Sequence, residues 1–279
     1  MPMKPVRSFF YFILLFVPFN FLFASADVVN SDTVFTRDLL LSADYGSNKI
    51  FLGRSSSINQ VYLSPAISYD SPSGFFGSII AYHLLSPRSR WDELDLNVGW
   101  GFFLFKKKLE SSIGYTYMSY GKQSQQLSSV FNHNAEVMLK KNFGYLKTKL
   151  FFDFDFGNGN SDYSITLDNS IPIVVEPAFT EDDQLKIKPL ISISAGTLNF
   201  YRLHLKSTTA APVLQNILSA TVDSRFNLTG IEFSLPVEYN IGRFSFEPAI
   251  HHNIPLNQPK RFRATSVTYF TASISFAII

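Results

Sequence analysis

Two groups of residues in this sequence have types and spacings that could do chemistry. The first is a carboxylate–imidazole pair, because a turn at "YNIGR" with Tyr239 opposite Phe244 would place Glu232 opposite His251. A carboxylate that orients an imidazole is half of a nucleophilic triad, but no Ser in the chain matches a hydrolase motif. The spacing therefore favours a cross-strand ion pair over a catalytic site.

The second group is a series of acidic residues that alternate with large apolar ones. In "WDELDLNVGWGFFLF", residues 91–105, Glu93 and Asp95 occupy one set of alternate positions, and the set between them is Leu94, Leu96, Val98, Trp100, Phe102 and Leu104. A period of two residues indicates a β-strand, because successive side chains of a strand point to opposite faces. One face of this strand is too apolar for water, and the other carries charges that a dry core does not tolerate. The pattern therefore predicts lipid on one side and a polar interior on the other.

The composition excludes several other kinds of site. The chain contains no Cys, so it can form neither a disulfide nor a thiolate metal site. It carries no nucleotide-binding glycine loop, no nucleophile elbow and no H-E-x-x-H motif, and its five His residues are scattered. We therefore predict no metal site, no cofactor and no catalytic residue.

The first residues of the chain have the three parts of a secretory signal peptide. Lys4 and Arg7 form a basic start, residues 9–23 an apolar core, and Ala24-Ser25-Ala26 a cleavage site. The apolar core is short for a membrane span and is interrupted by Pro and Asn. We predict a signal peptide at 1–26 and one domain at 27–279. Because the signal peptide contains two basic residues and no acidic one, the domain carries 22 charges of each sign, which does not favour nucleic-acid binding.

The alternating pattern recurs along the whole domain. We predict twelve strands, with ten or fourteen as alternatives, at residues 35–46, 60–70, 75–84, 92–105, 109–120, 129–140, 145–156, 162–175, 185–204, 226–240, 243–253 and 266–279. Tight turns such as "DSPSG" alternate with longer segments such as "SNKIFLGRSSSIN", which is typical of outer-membrane barrels. The sequence therefore predicts an all-β protein, a closed antiparallel up-and-down transmembrane β-barrel. A secreted antiparallel sandwich is the alternative, because alternation alone does not say which face is wet.

Charged residues concentrate at the positions that would face the barrel interior. The predicted interior acids are Asp44, Glu93, Asp95, Glu110, Glu136, Asp153, Asp155, Glu232, Glu238 and Glu247, together with Asp38 and Asp168. The predicted interior bases are Lys147, Lys149, Lys186 and Lys188. A turn at "KKNFG" would place Glu136 opposite Lys149. Because burying many unpaired carboxylates is costly, we expect the interior to hold water and to favour cations.

Two surface features are also predicted. Aromatic residues suited to the membrane interfaces are Tyr82, Trp100, Tyr115, Tyr117, Tyr239 and Phe244. The long loops carry a basic rim, namely Arg54, Arg88, Arg90, Lys260, Arg261 and Arg263. Guanidinium groups match phosphate geometry, so the rim is expected to contact lipopolysaccharide or anionic solutes. A set of merely solvated loops is the alternative.

Over residues 27–279 the chain resembles a bacterial outer-membrane β-barrel protein. The resemblance rests on the signal peptide, the alternating strands and the final strand "TYFTASISFAII". The stretches "SNKIFLGRSSSINQVYLSPAISY" and "FSFEPAIHHNIP" are also similar to unassigned barrels of the Bacteroidota. Such barrels usually end on an aromatic residue, whereas this chain ends on Ile279. The resemblance implies a Gram-negative outer membrane, with its lipid, its lipopolysaccharide and the barrel-assembly machinery as partners.

Three functions follow as hypotheses. Because about eight strands are filled by side chains and roughly sixteen leave an open channel, twelve strands predict a narrow water-filled pore for ions or small polar solutes. The first alternative is a non-conducting surface or scaffold barrel that binds a partner through its loops. The second is a phospholipase-like outer-membrane lipid hydrolase. That enzyme would need catalytic groups on its lipid-facing surface, whereas Glu232 and His251 are predicted to face inward. The sequence does not determine the oligomeric state.

Overall fold

The structure is a computed structural model that describes residues 38–55, 60–86, 89–122, 124, 126–157, 159–200, 225–257 and 265–278. The predicted signal peptide lies outside the described residues. The strands are β1 (Asp38–Gly46), β2 (Ile50–Phe51), β3 (Arg54–Ser55), β4 (Tyr62–Asp70), β5 (Phe75–Leu84), β6 (Arg90–Leu104), β7 (Leu109–Tyr120), β8 (His133–Phe143), β9 (Leu146–Gly157), β10 (Asn160–Ser170), β11 (Ile173–Val175), β12 (Asp183–Ile187), β13 (Leu190–Gly196), β14 (Asn227–Ile241), β15 (Phe244–Pro255) and β16 (Val267–Ala277). No helix of the described part is long and apolar enough to cross a membrane.

These segments form twelve barrel strands. The short strands β2 and β3 pair only with each other, as a small hairpin within the first long loop. Two barrel strands are interrupted at prolines, β10 with β11 at Pro172 and β12 with β13 at Pro189, because proline has no N–H for the strand ladder. Both β12 and β13 pair with β14, so together they make one strand. The prediction of a closed twelve-stranded antiparallel barrel is confirmed.

The ring closes between the first strand and the last. Leu41 of β1 lies opposite Phe276 of β16. Counting β10 with β11 and β12 with β13 as single strands, each of the twelve described barrel strands therefore pairs with a neighbour on both sides, as a sheet that crosses a bilayer requires. The connections at residues 71–74, 105–108 and 242–243 are short and lie at the same end as the start of β1. We call this the short-turn end and the opposite one the long-loop end.

The two faces of the barrel differ in chemistry. Outward side chains are apolar and exposed, including Leu96 at 40%, Val98 at 49% and Ile113 at 51%. On the inner face of the same strands, the Asn97 side chain donates to the Thr116 hydroxyl at 2.8 Å. Apolar side chains outside and polar ones inside are the reverse of a water-soluble sandwich, which answers the question that alternation alone left open.

Two predicted strand limits are wrong. The strand predicted at 129–140 is His133–Phe143, because Leu127–Val130 forms a 3-10 turn. The strand predicted at 185–204 ends at Gly196, since the chain then turns inward, and residues 201–204 lie outside the described part.

The predicted pairing at two hairpins is also wrong. In the β14–β15 hairpin Tyr239 lies opposite Phe246, and Glu232 lies opposite Asn253 instead of His251. In the β8–β9 hairpin the turn is at Gly144–Tyr145, so Glu136 lies opposite Asp153 and Lys149 opposite Lys140. Both errors shift the register by an even number of residues. An even shift leaves every side chain on its face, so the face pattern could not reveal them.

Aromatic residues line the outer face near both ends. At the long-loop end His133 stacks on Phe156, with ring centroids 5.0 Å apart. A hydrogen bond of 2.7 Å joins His133 Nδ1 to the Tyr115 hydroxyl. At the short-turn end Phe75 contacts Trp100. The assignment of Tyr82 to a belt is wrong, because Tyr82 lies opposite Glu93 on the inner face.

Candidate functional site on the inner wall

The inner wall consists of the alternate positions that lie between the exposed apolar residues. The predicted interior residues occupy such positions as follows: Asp38 and Asp44 on β1, Glu93 and Asp95 on β6, Glu110 on β7, Glu136 on β8, Lys147, Lys149, Asp153 and Asp155 on β9, Asp168 on β10, Lys186 on β12, Lys188 just after it, Glu232 and Glu238 on β14, and Glu247 on β15. Further charged residues that the sequence pattern did not assign also face inward, among them Lys49, Asp70, Lys140 and Asp162. Lys140 and Asp162 are terminal residues of predicted strands and share the parity of assigned neighbours, so the alternation itself contained the signal for both.

Ion pairs cross the inner wall near the short-turn end. The Lys188 ammonium lies between Glu238 at 2.8 Å and Glu247 at 2.5 Å, and Lys186 contacts Glu238 at 3.4 Å. Elsewhere on the inner wall, Lys140 of β8 pairs with Glu110 of β7 at 2.8 Å. These side chains keep between 19% and 33% of their surface exposed although they point inward. Water therefore reaches the interior from this end.

The wall near the long-loop end is acidic. The Asn134 amide donates to Asp155 at 2.9 Å and to Asp153 at 3.4 Å, and the Ser164 hydroxyl donates to Asp153. The predicted wall lysines all lie nearer the short turns, so no lysine of the described wall strands pairs with these two acids. Within the described residues, no three His or acidic side chains are arranged to hold a metal ion.

Glu232 and His251 do meet, although not as directly opposed residues. Glu232 Oε1 lies 3.3 Å from His251 Nδ1, and His251 Nε2 lies 2.9 Å from the Thr271 hydroxyl. Tyr269 stacks on the imidazole at 4.5 Å and donates its hydroxyl to Glu232 at 2.8 Å. The order acid, imidazole, hydroxyl is that of a triad. However, Thr271 lies within β16 between two paired strands, and the Phe270 N–H donates to the Ser47 hydroxyl at 2.8 Å. No N–H group of the described neighbours is therefore directed at an oxyanion.

The first long loop crosses the interior at the long-loop end. Lys49 pairs with Glu93 on β6, and its ammonium lies 3.9 Å from the centre of the Tyr82 ring on β5. At the tip of the β2–β3 hairpin, the Gly53 carbonyl accepts a hydrogen bond from Asn253 on β15 at 2.8 Å. The strands β6 and β15 lie on opposite sides of β1 in the ring. One loop can touch both only by crossing the barrel mouth.

An apolar cluster fixes the same loop. Phe131, Leu198 and Phe200 are almost fully buried, and Phe51 and Leu52 of the loop pack against them. The rings of Phe51 and Phe200 meet edge to face with centroids 4.9 Å apart. Burying one such side chain contributes roughly 1.5–3 kcal/mol, so apolar packing stabilises the inward position of the loop.

Two buried carboxylates anchor the neighbouring segments. Asp162, fully buried, accepts the backbone N–H groups of Asn199 at 2.9 Å and Phe200 at 2.5 Å. Asp92 accepts hydrogen bonds from Ser124 at 2.7 Å and Gln126 at 2.8 Å. A buried donor left without a partner costs about 1–3 kcal/mol. These acids therefore hold the chain that surrounds the loop, and neither was assigned an anchoring role from the sequence.

The basic rim falls mostly outside the described part. Arg88, Lys260, Arg261 and Arg263 are not among the described residues, and neither is the side chain of Arg54. Arg90 begins β6, and its Nε donates to Asp92 at 2.8 Å. The lipopolysaccharide contact of the rim stays a prediction.

Comparison with known proteins gives structural similarity only. No family model matches the chain, and no curated protein matches it in sequence. The KdgM porin is 10% identical, with a TM-score of 0.46 over 86% of this chain and 99% of that one. An outer membrane channel from Pseudomonas putida F1 is 9% identical, with a TM-score of 0.45 over 91% and 100% of the chains. LpxR from Salmonella typhimurium is 10% identical, with a TM-score of 0.45 over 85% and 99%.

The chain has the fold of an outer-membrane β-barrel. The closed ring of strands and the exposed apolar outer face of this chain are the reasons for assigning that fold. At these identities and TM-scores the similarity carries no solute and no reaction over to this chain.

Proposed function

We propose that this barrel is a narrow water-filled pore for ions or small polar solutes in a bacterial outer membrane. The observation that carries the proposal is the set of inward ion pairs of Lys140, Lys186 and Lys188, which remain partly exposed inside a closed barrel. A barrel filled by side chains would bury such pairs or replace them with apolar residues, because unhydrated charge is costly. Hydrated charges on an inner wall are the feature that lets ions pass.

The test is conductance of the purified protein. Inserted in a planar bilayer, the refolded barrel is expected to give discrete single-channel steps, small because twelve strands enclose a narrow interior. A heat-denatured sample at the same detergent concentration is the control for detergent leaks. Absence of steps in the parent and in variants that widen the interior would reject the pore.

A non-conducting scaffold barrel is the second candidate. The observation that favours it is the first long loop, which crosses the interior between Glu93 and Asn253. The same bilayer measurement separates the two candidates, since a scaffold gives no steps. A lipid hydrolase has less support, because the Glu232–His251–Thr271 chain lies on the inner wall and lacks an oxyanion site.

We also propose that residues 1–26 are cleaved on export to the outer membrane. The support is the basic start, the apolar core and the Ala24-Ser25-Ala26 site, followed by a barrel with an apolar outer face. The expected result is a mature N-terminus at residue 27 in the outer-membrane fraction, with faster gel migration before boiling than after. Recovery of the protein from the soluble periplasm would contradict the proposal.

A further inference from the structure

The first long loop places one positive charge against an acidic residue of the wall. The Glu93 side chain is only 3% exposed and its carboxylate contacts the Lys49 ammonium. The Tyr82 ring lies under the same ammonium, and Tyr62 lies beside Tyr82 with centroids 5.7 Å apart. Carboxylates and aromatic faces both bind ammonium groups. Lys49 is therefore held by two kinds of contact at once.

The far side of the loop is held by close backbone packing. Leu52 and Gly53 both have positive φ, 45° and 77°, which makes the tight turn of the hairpin. The Gly53 backbone approaches Gly230 so closely that a methyl group built on Gly230 would lie 3.0 Å from Gly53 Cα. Glycine at both positions lets the loop tip reach the wall of β14.

These contacts occupy the long-loop end while the ion pairs at the short-turn end stay exposed to water. The almost fully buried residues near the loop include Asn48, Gln60, Glu93, Phe200 and Asn253. Within the described residues the long-loop end is therefore the more tightly packed end of the interior.

We infer that residues 47–55 form the constriction of the proposed pore and that the contact of Lys49 with Glu93 and Tyr82 keeps it narrow. This inference rests on the proposed pore function and assigns its narrowest point. Passage of a solute wider than this constriction then requires the loop to leave the Gly230 wall or the Lys49 contact to break.

The first test compares two pairs of substitutions. Lys49→Met removes the ammonium and keeps the chain length, and Lys147→Met is the control, because Lys147 lies on the wall at the short-turn end. Gly230→Ala displaces the loop tip, and Gly114→Ala is its control, because a methyl group there meets atoms only at 3.9 Å. We expect Lys49→Met and Gly230→Ala to raise single-channel conductance roughly twofold or more while the controls stay near the parent.

The second test locks the loop in place. Since the chain has no Cys, Phe51→Cys with Phe200→Cys provides two unique thiols, at positions whose rings are 4.9 Å apart. A short bifunctional thiol reagent that joins them is expected to abolish the conductance gained by Lys49→Met, and a cleavable reagent is expected to restore it on reduction. Heat-modifiable migration shows that each variant folds.

The outcomes separate the inference from the pore function. If the joined variant conducts as well as the unjoined one, the loop is not the constriction, although the pore stands. If Lys49→Met and Gly230→Ala fold and conduct like the parent, the inference also fails. If neither the parent nor any folded variant conducts, the pore function itself fails.

Discussion

Replacing Leu96 with Arg should destabilise the folded barrel by about 2–4 kcal/mol, the cost of a cationic side chain on the lipid face near the bilayer midplane. Leu96 lies next to the centre of the fifteen-residue strand β6 and is 40% exposed on the outer face. Its neighbours across the strands are Ile79 and Tyr117, which offer no charge to pair with. Phe152→Arg on β9 is expected to cost a similar amount, since Phe152 is also an exposed outward residue near mid-strand.

The matched control puts the same side chain on the other face. Asn97→Arg changes the next residue, whose side chain lies on the wet wall and bonds to Thr116, so it should cost less than about 1 kcal/mol. The measurement is reversible unfolding by guanidinium in lipid vesicles for the three variants and the parent. If Asn97→Arg lowered the free energy of unfolding more than Leu96→Arg does, the assignment of the lipid-facing and inward faces would be wrong.

Neutralising two facing acids of the inner wall should weaken the preference for cations. Glu136 and Asp153 face each other across β8 and β9 on the acidic part of the wall, and like-signed walls in a narrow cavity concentrate counter-ions. In a salt gradient across a planar bilayer, the parent is expected to show a reversal potential whose sign indicates cation selectivity. Glu136→Gln with Asp153→Asn should move it toward zero.

The control for this measurement keeps the change in net charge but moves it off the wall. Glu181→Gln with Asp182→Asn alters two exposed residues of the turn after β11, and it should leave the reversal potential unchanged. The parent's preference should also weaken as salt rises, because the Debye length falls from about 10 Å at 0.1 M to about 3 Å at 1 M. An anion-selective parent would show that the lysines near the short turns outweigh the acids.

The faces of the strands could be predicted from the sequence because a period of two is a local property. Leu96 and Asn97 are neighbours in the chain, and any strand that contains both sends them to opposite sides. The alternation of short turns and long loops likewise determined the barrel topology and its two ends. The same reasoning could not determine register, since shifts by two or four residues preserve the faces. For this reason the sequence places Glu232 and Glu136 on the correct face of the barrel but opposite the wrong residues.

Only the tertiary structure decided what lies inside the barrel. Lys49 belongs to a loop with no alternation, and it contacts Glu93, which is distant in sequence and three strands away in the ring. Asn253 meets Gly53 only because β15 comes to lie beside β16 and β16 closes on β1. Local patterns set which way a side chain points, but the contacts of an inward loop depend on ring closure. Closure brings together residues that no periodicity relates, so the constriction could not be read from the sequence.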